Sequence, residues 1–320
     1  MQAEDRPIAR GAYMSRPGLY GGFGGFSPDN KPAVRDTRHR MNIVPVYQCL
    51  FVPWLLYCAL FALMSSSAHY DRPYLCWGLV AVAALGVVAL GWTPLKILLG
   101  RAPATNGPNW YGFFFVTMAV AVVLGATFGN LNYGTTMIKY YDYQSLGTTE
   151  ASPLTSSGQE LMDDGRVSFG NNSVLDIKRS VGFKNMDTYC VAPITVVEGG
   201  VSLPLETYDF WAVGLNCCNS NAADFSCGEY ANPTAHSGLR YLGDEQRAFF
   251  RLAVQEASAA YGIQVKHPLF YFWVQDPTAE MDSFKSEGYK YFLIGMLCHF
   301  TWQSLCVGLA LAAFSKLGYA

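Results

Sequence analysis

The sequence predicts a membrane α-helical protein, with a four-helix transmembrane bundle and a disulfide-stapled α+β exterior domain between spans three and four. Four apolar runs, at 43–64, 74–91, 110–129 and 291–314, each approach the ~20 residues that cross a ~30 Å hydrocarbon core. None of these runs contains Asp or Glu. Only 14% of the whole chain is charged, against about 25% in an average soluble protein.

The charges around the runs predict which side of the membrane each connection occupies. The tail before Met41 contains seven Lys or Arg and four Asp or Glu. The segment 131–290 contains eleven Lys or Arg and nineteen Asp or Glu, a net charge of −8. Basic flanks stay on the cytoplasmic side of a membrane. The sequence therefore predicts that both termini are cytoplasmic and that 131–290 faces the exterior or a lumen, at the plasma membrane or an endomembrane.

Composition divides the chain into five predicted segments. Residues 1–42 are rich in Gly, Pro and Arg, which predicts a disordered cytoplasmic tail; the alternative is a tail that docks a partner or binds lipid headgroups. Residues 43–130 contain spans one to three, and 131–173 form an irregular exterior loop rich in Ser, Thr, Gly and Asp. Residues 174–290 form the exterior α+β domain, and 291–320 contain span four and a short cytoplasmic tail.

The exterior domain is predicted from alternating strand-like and helical patterns. Segments 189–197, 208–215 and 265–274 have strand composition, and Pro268 places the last of them at a sheet edge. A helix is predicted with Asp244 as its cap and Gly262 as its end, and with an apolar face that packs on the strands.

Four of the nine cysteines lie in the predicted exterior domain: Cys190, Cys217, Cys218 and Cys227. An even set on the non-cytoplasmic side predicts two disulfides. Adjacent residues rarely meet disulfide geometry. Two pairings remain open, Cys190–Cys217 with Cys218–Cys227 or Cys190–Cys218 with Cys217–Cys227. A zinc site that uses these cysteines with His236 is the rival, but adjacent cysteines suit tetrahedral coordination poorly, so no metal site is predicted.

A glycosylation acceptor lies in the predicted irregular loop. The tripeptide Asn171-Asn172-Ser173 has the acceptor pattern for an N-linked glycan. If the loop is luminal, Asn171 is the residue that we expect to be modified.

The third run has small residues at every fourth position: Thr117, Ala121, Gly125 and Gly129. Such a stripe lets two helix backbones approach closely in lipid. Two uses are open. The stripe packs against another helix of the same chain, or it forms the contact of a homo-oligomer or larger complex.

The fourth run contains two polar side chains, His299 and Gln303. A polar residue inside a membrane span indicates a functional site by default. His299 has two interpretations: it is a hydrogen-bonded packing residue or an interfacial residue, or it is a gating or relay residue. Because the runs contain no carboxylate, a proton-coupled transporter is the less favoured function.

No catalytic motif occurs in a suitable context. The GxSxG, HExxH, P-loop, CxxC and GxGxxG patterns are all missing in the contexts that their chemistry requires. The sequence therefore predicts no enzyme and no cofactor, and the net charge of −2 predicts no nucleic-acid partner.

The layout resembles the tetraspanins. It has short basic cytoplasmic ends, a small first exterior loop, a short turn between spans two and three, and a large cysteine-bearing loop before span four. The Cys217-Cys218 pair is similar to the Cys-Cys pair of that family's large loop. Asn219 follows the pair where the family has Gly, and the loop here is strand-rich. The resemblance implies a protein that organises partners laterally in the membrane.

These observations together predict a non-enzymatic membrane scaffold or adhesion protein. Its expected partners are membrane lipids and membrane or extracellular proteins. The alternative is an accessory membrane subunit of a larger multiprotein complex, and a transporter or channel is the least favoured function.

Overall fold

The computed structural model describes residues 43–98 and 110–317. The predicted tail 1–42, the connection 99–109 and the last residues, 318–320, lie outside the described part of the chain. Within it, four helices are long and apolar enough to cross a membrane. They are α1 (Ile43–Ser65), α3 (Pro73–Leu98), α4 (Trp110–Asn132) and α7 (Pro277–Leu317), with a short helix α2 (Ser67–Asp71) between the first two.

Helix α1 lies at the centre of the apolar helices. It packs along α4 and against α7, and α3 packs on α4. Met64, Val80 and Val122 are among the buried side chains that α1, α3 and α4 share. Tyr57 and Phe61 of α1 form a second cluster with Ala121 of α4. The chain therefore buries apolar side chains between these helices, although many others face outward.

The prediction that residues 131–173 form an irregular loop is wrong, because helical turns and strands lie in this segment. Helix α4 continues through one π-helical turn, Tyr133–Met137, into α5 (Ile138–Ser145), and two strands of the sheet follow. The physical reason lies in tertiary contacts that composition does not show. Tyr140 and Tyr143 are buried against α7 and the sheet domain, and this burial stabilises a polar helix end.

Helix α7 begins earlier than the fourth apolar run. The segment from Pro277 to 290, predicted as part of the α+β domain, is helical and continuous with the run at 291–314. Asp276 explains this start, because its Oδ1 accepts hydrogen bonds from the N–H groups of Thr278 (2.8 Å) and Ala279 (3.1 Å). A polar first part therefore precedes the apolar part of one long helix.

In the described part of the chain, nine strands form a mixed sheet in the order β1-β2-β8-β9-β7-β5-β3, and β4 and β6 also pair with the long strand β5. Pairs β1/β2 and β7/β9 are parallel, and the others are antiparallel. The strands are β1 (Gly147–Ala151), β2 (Asp164–Phe169), β3 (Ser173–Leu175), β4 (Val181–Asn185), β5 (Asp187–Glu198), β6 (Val201–Ser202), β7 (Phe210–Leu215), β8 (Ser237–Arg240) and β9 (Leu269–Val274).

The prediction that the last aromatic strand lies at a sheet edge is wrong. Strand β9 lies between β8 and β7, inside the sheet. Pro268 directly precedes Leu269, the first strand residue, so its missing N–H removes no hydrogen bond from the ladder.

The two faces of the sheet are covered differently. Helix α6 (Asp244–Tyr261) packs Phe250 and Val254 onto one face, against Val191 and Trp211, and Gly262 ends it with a left-handed φ of 64°. This helix was predicted from the sequence. The opposite face packs on loops and on the four cysteines. Alternate residues of each strand therefore serve two separate cores.

Candidate functional site

The sheet domain contains two disulfides. Cys190 pairs with Cys218, and Cys217 pairs with Cys227. Of the two pairings that the sequence left open, the structure has the second. Three of these sulfur atoms lie within 4.8 Å of one another, as in a metal site. Because all four sulfurs are bonded in pairs, none is a thiolate that could ligate zinc.

Two glycines provide the space that the disulfides occupy. A Cβ on Gly182 in β4 would lie 2.7 Å from Cys218 Sγ, and a Cβ on Gly214 in β7 would lie 2.6 Å from Cys227 Sγ. Real Cβ atoms do not approach so closely. Sequence reasoning missed both glycines, because their role depends on which strands are neighbours.

An exposed methionine lies at a sharp corner of the sheet domain. Met186 joins β4 to β5 with a φ of +61°, and its side chain is 100% exposed. A left-handed backbone costs a residue with a Cβ roughly 1–2 kcal/mol, so Gly or Asn is the usual choice. We call residues 185–187 with Asn216 the Met186 corner. The corner therefore combines an unfavourable backbone geometry with an exposed apolar side chain.

Asn216 makes this corner rigid. Its Oδ1 accepts a hydrogen bond from Thr188 N (2.9 Å), and its Nδ2 donates to Asp187 Oδ1 (2.9 Å). Its backbone N–H donates to Thr188 O at 2.8 Å. The Cys190–Cys218 disulfide lies next to these bonds. The Met186 side chain therefore projects from a fixed support.

The sheet domain is mounted directly on two helices. The Tyr143 hydroxyl of α5 donates to Arg240 O at 2.7 Å, and its ring stacks on Phe284 of α7 at 6.1 Å between centroids. Leu239 and Met281 are buried in the same cluster. Because α5 follows α4 and the polar first part of α7 leads into its apolar part, these contacts join the sheet domain to two of the apolar helices.

The small-residue stripe of α4 is in contact with α1. A Cβ on Gly129 would lie 2.7 Å from Met64 Cβ, and one on Gly125 would lie 3.0 Å from Tyr57 O. Ala121 and Thr117 of the stripe are also buried. Of the two uses left open, the structure shows packing within the chain. Oligomerisation through another face of α4 stays a prediction.

Asn132 joins three helices where the apolar helices meet the sheet domain. Its Nδ2 donates to Ser65 Oγ (3.1 Å) of α1 and to Gly288 O (3.2 Å) of α7. Its Oδ1 accepts a hydrogen bond from Thr136 Oγ1 at 3.0 Å. Sequence reasoning missed this residue. The signal that could have found it is an Asn just beyond an apolar run, with Thr four residues later, one helical turn away.

Gln303 compensates for a proline in α1. Pro53 has no N–H, so the carbonyl of Cys49, four residues earlier, lacks its helical donor. Gln303 Nε2 donates to Cys49 O at 2.5 Å. The predicted polar residue therefore has a packing role, because it gives the Cys49 carbonyl the hydrogen bond that Pro53 cannot donate.

His299 differs from Gln303, although it lies one turn earlier on the same helix. Its ring is 5% exposed and stacks on Tyr57, with 4.1 Å between ring centroids and 4° between planes. Neither ring nitrogen has a hydrogen-bond partner among the described residues. The predicted hydrogen-bonded packing role is therefore not what the structure shows.

His299 lines a groove of about 870 Å³ between α4 and α7, with α1 behind it. None of its lining residues is charged. Its polar end has Asn132, Thr135 and Thr136, and its other end has His299 and Trp302. The remaining lining residues are apolar or aromatic: Tyr57, Phe61, Leu124, Phe128, Leu131, Tyr291, Ile294, Gly295 and Cys298.

Other polar groups of the sheet domain have structural roles. Asp209 is 2% exposed, and its carboxylate accepts hydrogen bonds from the N–H groups of Gly158, Lys266 and His267 at 2.9–3.1 Å. His236 Nδ1 lies 2.9 Å from Ser173 O. These side chains bond to the backbone and not to one another.

Two further polar residues of the sheet domain differ in exposure: Tyr271 is buried and Asn171 is exposed. Burial raises the pKa of the Tyr271 hydroxyl, and the nearby positive charge of Arg240 partly opposes this rise. Asn171 is exposed in a turn between β2 and β3, where an enzyme can reach it, so its glycosylation stays a prediction.

No protein-family model matches this chain, and no curated protein and no solved structure matches it.

Proposed function

We propose that this chain is an integral membrane scaffold or adhesion protein that binds protein partners through its sheet domain. The four apolar helices would span the membrane as a bundle, with both termini in the cytoplasm. The sheet domain would lie outside the cell or in a lumen. Basic flanks, an acidic segment at 131–290 and two disulfides in that segment support this arrangement. No enzymatic step or cofactor is part of the proposal.

The observation that carries the proposal is the Met186 corner on its rigid mount. Binding is favoured when the contact surface is already ordered, because less entropy is lost on association. Asn216 and the Cys190–Cys218 disulfide hold this corner, and Tyr143 holds the domain on α5 and α7. A domain fixed in this way presents Met186 at a defined place relative to the membrane.

Protease shaving of intact membranes, followed by mass spectrometry of the unreduced protein, tests the topology. We expect peptides from the sheet domain to be released with Cys190–Cys218 and Cys217–Cys227 intact, and the tail 1–42 to be protected. The same spectra report whether Asn171 carries a glycan. Free thiols at all four cysteines, or release of the tail instead, would contradict the proposed orientation.

The Met186→Gly variant tests partner binding. Glycine accepts the left-handed backbone and removes only the side chain, so the fold should be as stable or slightly more stable. We expect the variant to lose its associated proteins after solubilisation in mild detergent, measured by native size. Leu154 is a matched control, because it is another exposed apolar side chain of the same domain.

Two results would contradict binding at this corner. Met186→Gly could keep the native size of the wild-type protein, or Leu154→Gly could lose it equally. In either case the Met186 side chain does not make the contact.

The alternative function is an accessory membrane subunit, and α3 favours it. A Cβ on Gly78 or Gly86 of α3 would meet no heavy atom within 4 Å, so these small residues contact no helix among the described residues. Small residues in spans are typical of places where a second helix approaches. A stoichiometric complex that is lost in Gly86→Leu but kept in Met186→Gly would favour the subunit over the scaffold. The resemblance to tetraspanins supports the scaffold, with lateral organisation of partners.

A further inference from the structure

We propose that a pocket beside helix α6 binds a small soluble phosphate monoester, with Arg247 and Arg251 as the main recognition groups. The pocket has a volume of about 360 Å³ and lies between the first half of α6, the end of β8, the start of β9 and the residues just before β2. We call it the arginine pocket, because Arg240, Arg247 and Arg251 all line it. The inference goes beyond the proposed function and does not involve the Met186 corner.

The first observation is the sign of the charge in the arginine pocket. The segment 131–290 has a net charge of −8, yet three of its eleven Lys or Arg line this one pocket. Among the described lining residues the only acid is Asp163, so the positive charges exceed the negative by two. A concave site with one sign of charge concentrates ions of the opposite sign. The pocket therefore favours an anion, although the segment around it is acidic.

The second observation is that two of the arginines are available to a ligand. Arg251 makes no hydrogen bond or ion pair with any described residue. Arg247 lies 3.2 Å from Asp244, but that carboxylate is 87% exposed, and exposed ion pairs contribute little. Arg247 and Arg251 are four residues apart on α6, where like charges destabilise a helix. An anion bound between them would remove this repulsion.

The third observation is that the remaining wall of the pocket is held in place. Arg240 Nη1 donates to Leu161 O at 2.9 Å, which fixes its guanidinium. The Asp209 carboxylate accepts a hydrogen bond from His267 N at 3.0 Å, which fixes the backbone just before β9. The His267 ring also lines the pocket and has an N–H to donate even when it is neutral. A preformed site loses little entropy when it binds its ligand.

The lining favours a phosphate monoester over other anions. A guanidinium has parallel N–H donors that match two phosphate oxygens. A monoester carries about −1.5 to −2 charge at pH 7, which matches the excess of two positive charges in the lining. A carboxylate has a single charge and would leave one guanidinium without a counter-ion. The volume of about 360 Å³ is at the small end of ligand sites, so the ligand is a small molecule.

The height of the pocket above the apolar helices favours a soluble ligand over a lipid headgroup. Arg240 O accepts a hydrogen bond from Tyr143, which lies eleven residues beyond the end of α4. Met281, which is buried in the same cluster as Leu239, lies ten residues before the apolar run of α7. Each distance is about 15 Å along a helix, whereas the headgroup layer is only about 5–8 Å thick. This step rests on the proposed function, because it requires α4 and α7 to span a membrane.

The experiment uses the full-length protein in phosphatidylcholine nanodiscs and glycerol 3-phosphate as the probe. Isothermal titration calorimetry in a Tris chloride buffer without phosphate or sulfate measures the dissociation constant. We expect saturable binding that weakens when sodium chloride is added, because charges carry the recognition. Inorganic phosphate should compete with the probe, and glycerol should give no binding heat.

Three variants connect the binding to the pocket. Arg251→Gln removes one guanidinium, and we expect the dissociation constant to rise about tenfold or more, the effect of one charge-assisted hydrogen bond. Arg251→Lys keeps the charge and should stay within about threefold of the wild type. Lys178→Gln is the matched control, because it removes one positive charge from an exposed residue of the same domain outside the pocket. It should change the dissociation constant by less than about twofold. Thermal unfolding identifies any variant that fails to fold.

Several results would overturn the proposal. Folded wild-type protein that gives no saturable heat has no such site. A dissociation constant unchanged in Arg251→Gln, or raised equally in Lys178→Gln, would mean that the pocket does not recognise the phosphate. Glycerate that binds as tightly as glycerol 3-phosphate would assign the pocket to carboxylates. Loss of binding in nanodiscs that contain phosphatidic acid would assign it to a lipid headgroup.

The outcome is separable from that of the proposed function. Arg251→Gln leaves the Met186 corner intact, so its native size in mild detergent should equal that of the wild-type protein. Absent phosphate binding with shaving results that support the topology would contradict the pocket alone. Phosphate binding with an inverted topology would contradict the proposed function and leave the pocket standing.

Discussion

A buried carboxylate in the sheet domain and a buried imidazole among the apolar helices have opposite surroundings. Asp209 in the sheet domain is a buried carboxylate with three backbone N–H donors. His299 among the apolar helices is almost equally buried and has no partner among the described residues. The first arrangement stabilises a fold. The second destabilises it, so we expect it to persist for a reason other than stability.

Removing the Asp209 carboxylate is expected to change the free energy of unfolding most. Asp209→Ala would remove the acceptor of three backbone N–H groups, and we expect a loss of about 4 kcal/mol in the free energy of unfolding. Asp209→Asn keeps one oxygen acceptor and should lose less. Urea unfolding of the detergent-solubilised protein, followed by near-ultraviolet circular dichroism, measures both. An alanine variant as stable as the wild type would show that the Asp209 carboxylate does not stabilise the fold as described.

The sheet domain has two disulfides, whereas the cysteines of the described apolar helices are free. Cys190 and Cys218 are 28 residues apart in sequence, and Cys217 and Cys227 are 10 apart. Removing a native disulfide costs about 2–4 kcal/mol, more for a longer loop. We expect the double Ala variant of the longer loop to lose about 1 kcal/mol more than that of the shorter loop. Equal losses in the same urea assay would contradict this entropic account.

Sequence patterns predicted the features that depend on residues close to one another along the chain. The four apolar runs, helix α6 and the confinement of the disulfides to one domain all follow from composition, period and cysteine position. Pairing between strands was harder. Pro268 suggested an edge because its place just before the first residue of β9 could not be known from sequence.

Contacts between distant segments explain what the sequence did not show. Strand β1 is polar and pairs with β2, and Tyr140 is buried only because α7 passes beside it, so 131–173 looked irregular. The roles of Asn132 and His299 likewise depend on which helices are neighbours. Gln303 was found as a polar residue, but its partner, the carbonyl that Pro53 leaves free, needed the packing of α7 on α1.

Gly129 of α4 lies in a close contact with α1, whereas Gly86 of α3 lies on a helix face that contacts no described residue. Gly129→Ala would bring a Cβ within 2.7 Å of Met64 Cβ, and we expect a loss of about 2 kcal/mol because the helices must separate. Gly86→Ala meets nothing within 4 Å and should be neutral or slightly stabilising. Thermal unfolding in detergent measures both. A loss at Gly86 as large as that at Gly129 would show that α3 packs on a surface outside the described residues.

The smallest changes in the free energy of unfolding are expected for Gln303 and His299, which lie one turn apart on α7. Gln303→Leu leaves the Cys49 carbonyl without a donor, and we expect the free energy of unfolding to fall by about 1 kcal/mol. His299→Leu removes two unpartnered nitrogens, so the same measurement in detergent should show no loss or a gain of up to about 1 kcal/mol. A loss at His299 equal to that at Gln303 would mean that the ring contributes packing against Tyr57 that outweighs its missing hydrogen bonds. The opposite signs would instead show that α7 carries one polar residue for stability and one that its own fold does not require.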